Sequence, residues 1–248
     1  MQILSPQEFM MLSKSLPTID VRSPAEFAEG HIPNSINIPI FNNEERAIVG
    51  TIYKKMGRIP AIEKGLEIVG PKMALFVQQA MKIAQLSQVC IYCWRGGMRS
   101  ESMAWLFERV DIKCHLLEGG YKSYRNYLLE RVGDIPNLIV IEGSTGSGKT
   151  EILQMLRTIN EQIIDLEDIA NHKGSVFGGI GQEPQPTTQQ FQNKIYDEIL
   201  GFDLSKRVWI EGESQTVGRV FLPDPLWACM NSAQNFEIIV PREERMAG

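Results

Sequence analysis

Residues 138–159 constrain this chain more than any other stretch. Leu138-Ile139-Val140-Ile141-Glu142 is a short apolar run, the mark of a buried strand. It leads directly into Gly143-Ser144-Thr145-Gly146-Ser147-Gly148-Lys149-Thr150, a complete G-x-x-x-x-G-K-T. Ile152, Met155, Leu156 and Ile159 then recur at helical spacing. A strand that feeds a helix needs a crossover to reach its parallel neighbour, so this order implies an α/β architecture. Backbone N–H groups of the loop, with Lys149, suit a di- or triphosphate, and Thr150 suits Mg2+.

A second strand-to-helix junction lies upstream. Val89-Cys90-Ile91-Tyr92 reads as a buried strand, and Met103, Leu106, Phe107 and Val110 as one face of a helix. Between them runs Cys93-Trp94-Arg95-Gly96-Gly97-Met98-Arg99-Ser100. Two glycines let the backbone curl so that successive N–H groups converge on the sulfur. A helix N-terminus and two arginines add positive potential, which favours thiolate and steadies a bound anion. The competing reading, a tight turn holding a structural cysteine, requires neither Gly96-Gly97 nor the two flanking arginines.

Composition narrows the classes. The 248 residues are 43% apolar and 22% charged, enough for two ordinary domains, without repeats or low-complexity tracts. No apolar stretch is long enough to span a bilayer, and Met1–Pro6 lacks the features of a signal peptide, so a cytoplasmic protein with no membrane partner is expected. Cys90, Cys93, Cys114 and Cys229 are too scattered for a zinc site and fit a reducing compartment. Net charge is −5, unevenly spread: 15 basic against 13 acidic side chains over residues 1–130, and 10 against 17 over 131–248. That balance argues against indiscriminate RNA binding but not against a local basic stripe.

The first half alternates strands and helices. Ser5-Pro6-Gln7-Glu8 and Ser23-Pro24-Ala25-Glu26 are helix starts, Thr18–Val21 and Lys113–Leu117 are strands, and Glu118-Gly119-Gly120 closes the last. His31 reads as a hydrogen-bonder behind a turn rather than a base. Asn43–Lys55 is a charged helical insert, whose Lys54 and Lys55, with Arg58 just beyond, can face either an RNA backbone or solvent. Tyr121–Tyr127 interleaves aromatic and basic residues and fits a connecting helix better than a base-stacking platform. Gly133-Asp134-Ile135-Pro136-Asn137 is turn-rich, which places domains at 1–132 and 133–248. In the second half, Ile163–Asp165 and Val208–Ile210 are strands ending near acids, so Asp165, Glu211 and Glu213 point toward the phosphate crevice. Asp168–Gly179 reads as a loop over the phosphate site, with Lys173 near phosphate, and a helix opens within Gln185–Phe191.

Asp20 to Pro39, the Cys93 loop and Glu118–Tyr121 together resemble a rhodanese domain, in which the loop cysteine carries sulfur or selenium. Arg99 lies six positions after Cys93, one more than in many rhodaneses. This C-x5-R spacing is shared with cysteine-dependent phosphatases and suits a phosphate-bearing ligand. The whole chain resembles the tRNA 2-selenouridine synthase family, a rhodanese-like domain with a parallel sheet flanked by helices, fused to a P-loop α/β domain. The likeness rests on Glu45-Arg46 with Gly50-Thr51, the Cys93 loop, Gly119–Lys122, the P-loop and His172–Gly178. Family members run on past the point where this chain stops, so the resemblance is to a C-terminally shortened member, ending on a strand at Phe236–Val240 and a helix start at Arg242–Arg245.

The resemblance implies exchange of sulfur for selenium in wobble 2-thiouridine of tRNA, with selenophosphate and geranyl diphosphate as co-substrates and no tightly bound cofactor; Mg2+ is the metal that Thr150 suits. Cys93 thiolate would accept selenium, while Arg95, Gly96, Gly97, Met98 and Arg99 bind the departing phosphate. The Gly143–Thr150 loop would cradle the geranyl diphosphate without ATP hydrolysis. The residues alone leave four alternatives open: a rhodanese-type sulfurtransferase, a C-x5-R phosphatase, a P-loop small-molecule kinase, and a non-catalytic RNA-binding module.

Overall fold

A computed structural model describes residues 1–84, 87–144, 146–173, 178–179 and 181–240. The Arg242–Arg245 helix start, Thr145 of the P-loop and residues 174–177 lie outside them. The chain divides into two compact units, Met1–Tyr127 and Leu128–Gly248.

In unit 1 the elements run β1 (Gln2–Leu4), α1 (Pro6–Ser13), β2 (Thr18–Asp20), α2 (Pro24–Glu29), β3 (Ile36–Asn37), α3 (Asn43–Met56), α4 (Arg58–Val69), α5 (Met73–Ile83), β4 (Gln88–Tyr92), α6 (Met98–Glu108), β5 (Lys113–Leu117) and α7 (Gly120–Arg131), whose last turns belong to unit 2. The sheet has the order β1-β5-β4-β2-β3 and every pairing is parallel. Helices α1, α2 and α3 all open on capping boxes, with Ser5/Glu8, Ser23/Glu26 and Asn42/Glu45 as the reciprocal pairs. The insert is two helices rather than one, because Gly57 at φ 95° ends α3 and redirects the chain into α4. Ile19, Val21, Val89, Ile91, Met103, Phe107 and Leu116 fill the core, and Cys93 borders it. His31 stacks on Phe27 with Nδ1 2.9 Å from the Phe27 carbonyl, a structural role.

Unit 2 continues β6 (Leu138–Gly143), α8 (Lys149–Thr158), β7 (Gln162–Ile164), α9 (Leu166–Ala170), α10 (Thr188–Ile199), β8 (Val208–Glu211), β9 (Thr216–Val217), β10 (Val220–Phe221), α11 (Asp224–Ser232) and β11 (Gln234–Ile238). Its main sheet is β11-β6-β8-β7, all parallel, with β9 and β10 as a separate antiparallel pair. The segment 133–137 packs within this unit: Ile135 is buried and its carbonyl accepts from Cys229 Sγ at 3.7 Å. No helix among the described residues is long and apolar enough to cross a membrane.

Candidate active site

The Cys93 loop joins the carboxyl end of β4 to the amino end of α6. Cys93 is only 3% exposed, with apolar core on one side and polar donors on the other. Gly97 N–H donates to its sulfur at 3.4 Å. Ser100 Oγ lies 3.2 Å from the sulfur and 3.0 Å from the Gly97 carbonyl, so one proton is shared between them. Burial pushes the Cys90 and Cys114 thiols up to about 12, leaving them inert at neutral pH.

The turn after β5 braces the loop. Tyr121 N–H donates to the Cys93 carbonyl at 2.8 Å and Lys122 N–H to the Trp94 carbonyl at 3.1 Å. Gly96 and Gly120 are both left-handed, at φ 64° and 63°. A Cβ on Gly120 would stand 2.4 Å from the Cys93 carbonyl and 2.5 Å from Gly96 N, so the two turns touch backbone to backbone.

Beneath them lies a buried ion pair. Arg22 and Asp20 are both 0% exposed; Nη2 donates to Asp20 Oδ2 at 2.6 Å and to the Gly30 carbonyl at 2.7 Å. The guanidinium sits 3.9 Å from the Tyr121 ring centroid. Burial alone would push Arg22 down, but its hydrogen bonds and charge pairing with Asp20 leave it raised. Tyr121 and Tyr124 are buried too, so they serve this support rather than base stacking.

Of the loop cations, Arg95 is exposed and has no ion pair among the described residues. Arg99 is held by Glu26, with Nη1 to Oε2 at 2.8 Å, and Arg46 approaches the same carboxylate at 3.7 Å. Burial raises Glu26, but the Arg99 bond and charge outweigh it and hold the carboxylate below its ordinary value. Met98 is exposed, its sulfur 3.9 Å from Arg58 Nη2.

The P-loop joins β6 to α8 in the expected strand–loop–helix order, with Gly146 and Gly148 left-handed at φ 76° and 84°. Lys149 Nζ donates to the Gly143 carbonyl at 2.9 Å. Ser147 is 6% exposed, and a Cβ on Gly143 would lie 2.5 Å from its Oγ. Ser144 and Gly146 are exposed. Thr150 Oγ1 lies 3.3 Å from Glu167 Oε2.

Glu167, Glu211 and Glu213 place carboxylate oxygens within 4.8 Å of one another. Glu211 is wholly buried; Oε1 accepts from Glu167 N–H at 2.6 Å, whereas Oε2 has no hydrogen-bond partner among the described residues. Burial, reinforced by Asp165, Glu167 and Glu213, pushes Glu211 up to about 8 against the pull of that bond. Glu213 is raised by burial and by Glu167, with Lys149 opposing. An orphaned carboxylate oxygen among all-oxygen donors beside Thr150 fits a hard divalent cation such as Mg2+. Asp165 does other work: it caps α9 by accepting from Asp168 N–H at 3.0 Å and accepts from Gln154 at 2.9 Å. Lys173 is exposed, and no described hydrogen bond or ion pair ties its side chain to the P-loop.

Four contributors escaped the sequence reading: Ser100, the Asp20–Arg22 pair, Glu26 and Glu167. Ser100 was visible as the residue after the C-x5-R arginine. Glu26 and Glu167 act on partners remote in sequence, and the Asp20–Arg22 pair gains its role only from burial against Tyr121.

A cysteine loop on a parallel rhodanese-type sheet and a P-loop on a second parallel sheet define a two-domain, rhodanese-plus-P-loop protein. Residues 5–127 match the rhodanese-like domain family, and residues 136–248 match the tRNA 2-selenouridine synthase AAA domain. Proteins named tRNA 2-selenouridine synthase are similar over nearly the whole chain. That of Nitrosomonas eutropha is 37% identical over 244 residues, covering 95% of this chain and 62% of the relative. That of Nitrosomonas europaea is 40% identical, covering 90% and 59%, and that of Hydrogenovibrio crunogenus 34% identical, covering 94% and 67%. The chain belongs to the tRNA 2-selenouridine synthase family, and it spans roughly 60% of the length of the two Nitrosomonas relatives.

Proposed function

We propose that the protein replaces sulfur by selenium in wobble 2-thiouridine of tRNA, with selenophosphate as donor and geranyl diphosphate as the activating reagent. The observation that carries this reading is the presence, on one chain, of a donor-lined cysteine and a P-loop between a strand and a helix. The names of the relatives supply the tRNA and the selenium.

Two chemical steps follow. The thiocarbonyl sulfur of the nucleobase attacks C1 of geranyl diphosphate, forming C–S as C–O breaks, and diphosphate departs with the electron pair. Lys149 and the P-loop amides hold that diphosphate. A selenium nucleophile generated at Cys93 then adds to C2 of the base, and geranylthiolate leaves as the C–S bond breaks. Mg2+, when bound, would be held by Thr150 with Glu167, Glu211 and Glu213 and would offset diphosphate charge. Neither step consumes ATP. Lys54, Lys55 and Arg58 are exposed without an ion pair among the described residues and offer contacts for RNA phosphates.

The test incubates the full chain with 2-thiouridine tRNA and selenophosphate, with and without geranyl diphosphate, and analyses the nucleosides. Cys93→Ala abolishes selenation but spares geranylation, and Lys149→Ala impairs geranylation. Normal nucleoside products from both variants would overturn the reading, and so would variants that lose only ATPase activity.

A further inference from the structure

We propose that Cys93 takes up the phosphoryl group of its donor, not the selenium. The inference rests on the reading that the donor is selenophosphate, and two independent arguments carry it.

The first is the number of open donors. Among the described residues, the backbone N–H groups of Arg95, Gly96, Met98 and Arg99 bond no acceptor, and the Arg95 guanidinium has no ion pair. Gly97 N–H and Ser100 Oγ are already directed at the sulfur itself. A lone selenium atom on Cys93 is a single, weak acceptor and would leave most of these donors unused. A phosphoryl group presents three strong acceptor oxygens, enough to engage loop amides and an arginine that have no other acceptor among the described residues.

The second is electron balance. In selenophosphate the selenium is fully reduced and the phosphorus fully oxidised. Transfer of selenium to Cys93 would break P–Se with the electron pair left on phosphorus, giving phosphite, unless an added oxidant intervened. Attack on phosphorus needs no redox partner. Cys93 thiolate forms S–P, P–Se breaks, and the pair leaves on selenium, which carries off the proton of the monoprotonated selenophosphate as hydrogenselenide. Water then attacks phosphorus, S–P breaks, and phosphate departs with Cys93 restored as thiolate. Hydrogenselenide is the nucleophile that the geranylated base requires.

Ser100 is assigned as a positioning residue for the second half of this cycle. Only 1% exposed and 3.2 Å from the sulfur, its hydroxyl stabilises the thiolate as it leaves phosphorus.

The experiment supplies the full chain with thiophosphate, a stable stand-in, carrying radioactive phosphorus in one arm and radioactive sulfur in the other. No tRNA or geranyl diphosphate is added, so the outcome is independent of whether selenouridine is made. Phosphorus label on Cys93, free sulfide and slow release of phosphate are expected, with no label on Cys93→Ala. Ser100→Ala should hold the phosphorus label about ten times longer, as loss of a hydrogen bond to a charged group implies. Ser100→Thr should restore release. Sulfur label on Cys93 with phosphorus in solution, or no phosphorus label at all on a folded wild-type protein, would overturn the proposal.

Discussion

Gly120→Ala is the most informative perturbation of the Cys93 loop, because the residue is remote in sequence and the three atoms nearest a Cβ there are all backbone. Its Cβ would meet the Cys93 carbonyl at 2.4 Å, Gly96 N at 2.5 Å and Arg95 N at 2.8 Å. Real Cβ contacts essentially never fall below 3.0 Å, so the loop must retreat by about 0.6 Å. All three are backbone atoms, not the far end of a flexible side chain. The left-handed backbone adds about 1–2 kcal/mol and the overpacking about 1–3 kcal/mol, for a stability loss on the order of 3 kcal/mol. Misplacing a reacting group by about 1 Å can cost about a hundredfold, so the shift should slow chemistry at Cys93 by on the order of tenfold or more. Urea unfolding and single-turnover formation of 2-selenouridine read the two effects. Gly70→Ala is the control: its Cβ meets nothing within 4 Å, its φ is −48°, and it lies outside the loop. A folded Gly120→Ala protein reacting at the wild-type rate would refute the bracing argument, as would an equal loss in Gly70→Ala.

Two further outcomes follow from the same structure. Glu211 titrates near 4.5 when unfolded and near 8 when folded, so the folded chain keeps a proton that the unfolded one has lost. With chelator present, this contribution should cost up to about 1.4 kcal/mol of stability per pH unit as pH rises through that window. Glu211→Gln should remove that slope, and parallel wild-type and variant curves would contradict it. The Lys54→Gln/Lys55→Gln/Arg58→Gln variant should reduce the salt dependence of tRNA binding by about 2 in the log–log slope, given about 0.7 per single-strand phosphate contact. An unchanged slope would remove the α3–α4 junction from the RNA surface.

Both loops are legible in the sequence because each is made by consecutive residues. A strand, a curl of glycines and a helix start follow from the local chain, and so do the Ser5/Glu8 and Ser23/Glu26 capping boxes. The second insert helix α4 and the β9–β10 pair were not legible, since neither carries strong periodicity. Strand β11 ends at Ile238, two residues short of the expected run, because pairing with β6 rather than apolarity sets its limits. The Glu167, Glu211 and Glu213 cluster shows the same limit at the site: Glu167 lies outside the strand end that flagged Asp165, and only folding brings its backbone to Glu211.

By itself, the order of residues determined the parallel α/β class, the two chemical loops and their attachment to strand ends, because all of these depend on neighbours within a few positions. Tertiary structure decided how the loops are held and what their charges do. Arg99 meets Glu26 across 73 positions, Gly120 wedges under Cys93, and Arg22 is buried against Asp20 and Tyr121. Such contacts are set by parallel strand order and by the cost of burying an unpaired charge, and those forces act only once the sheet has formed.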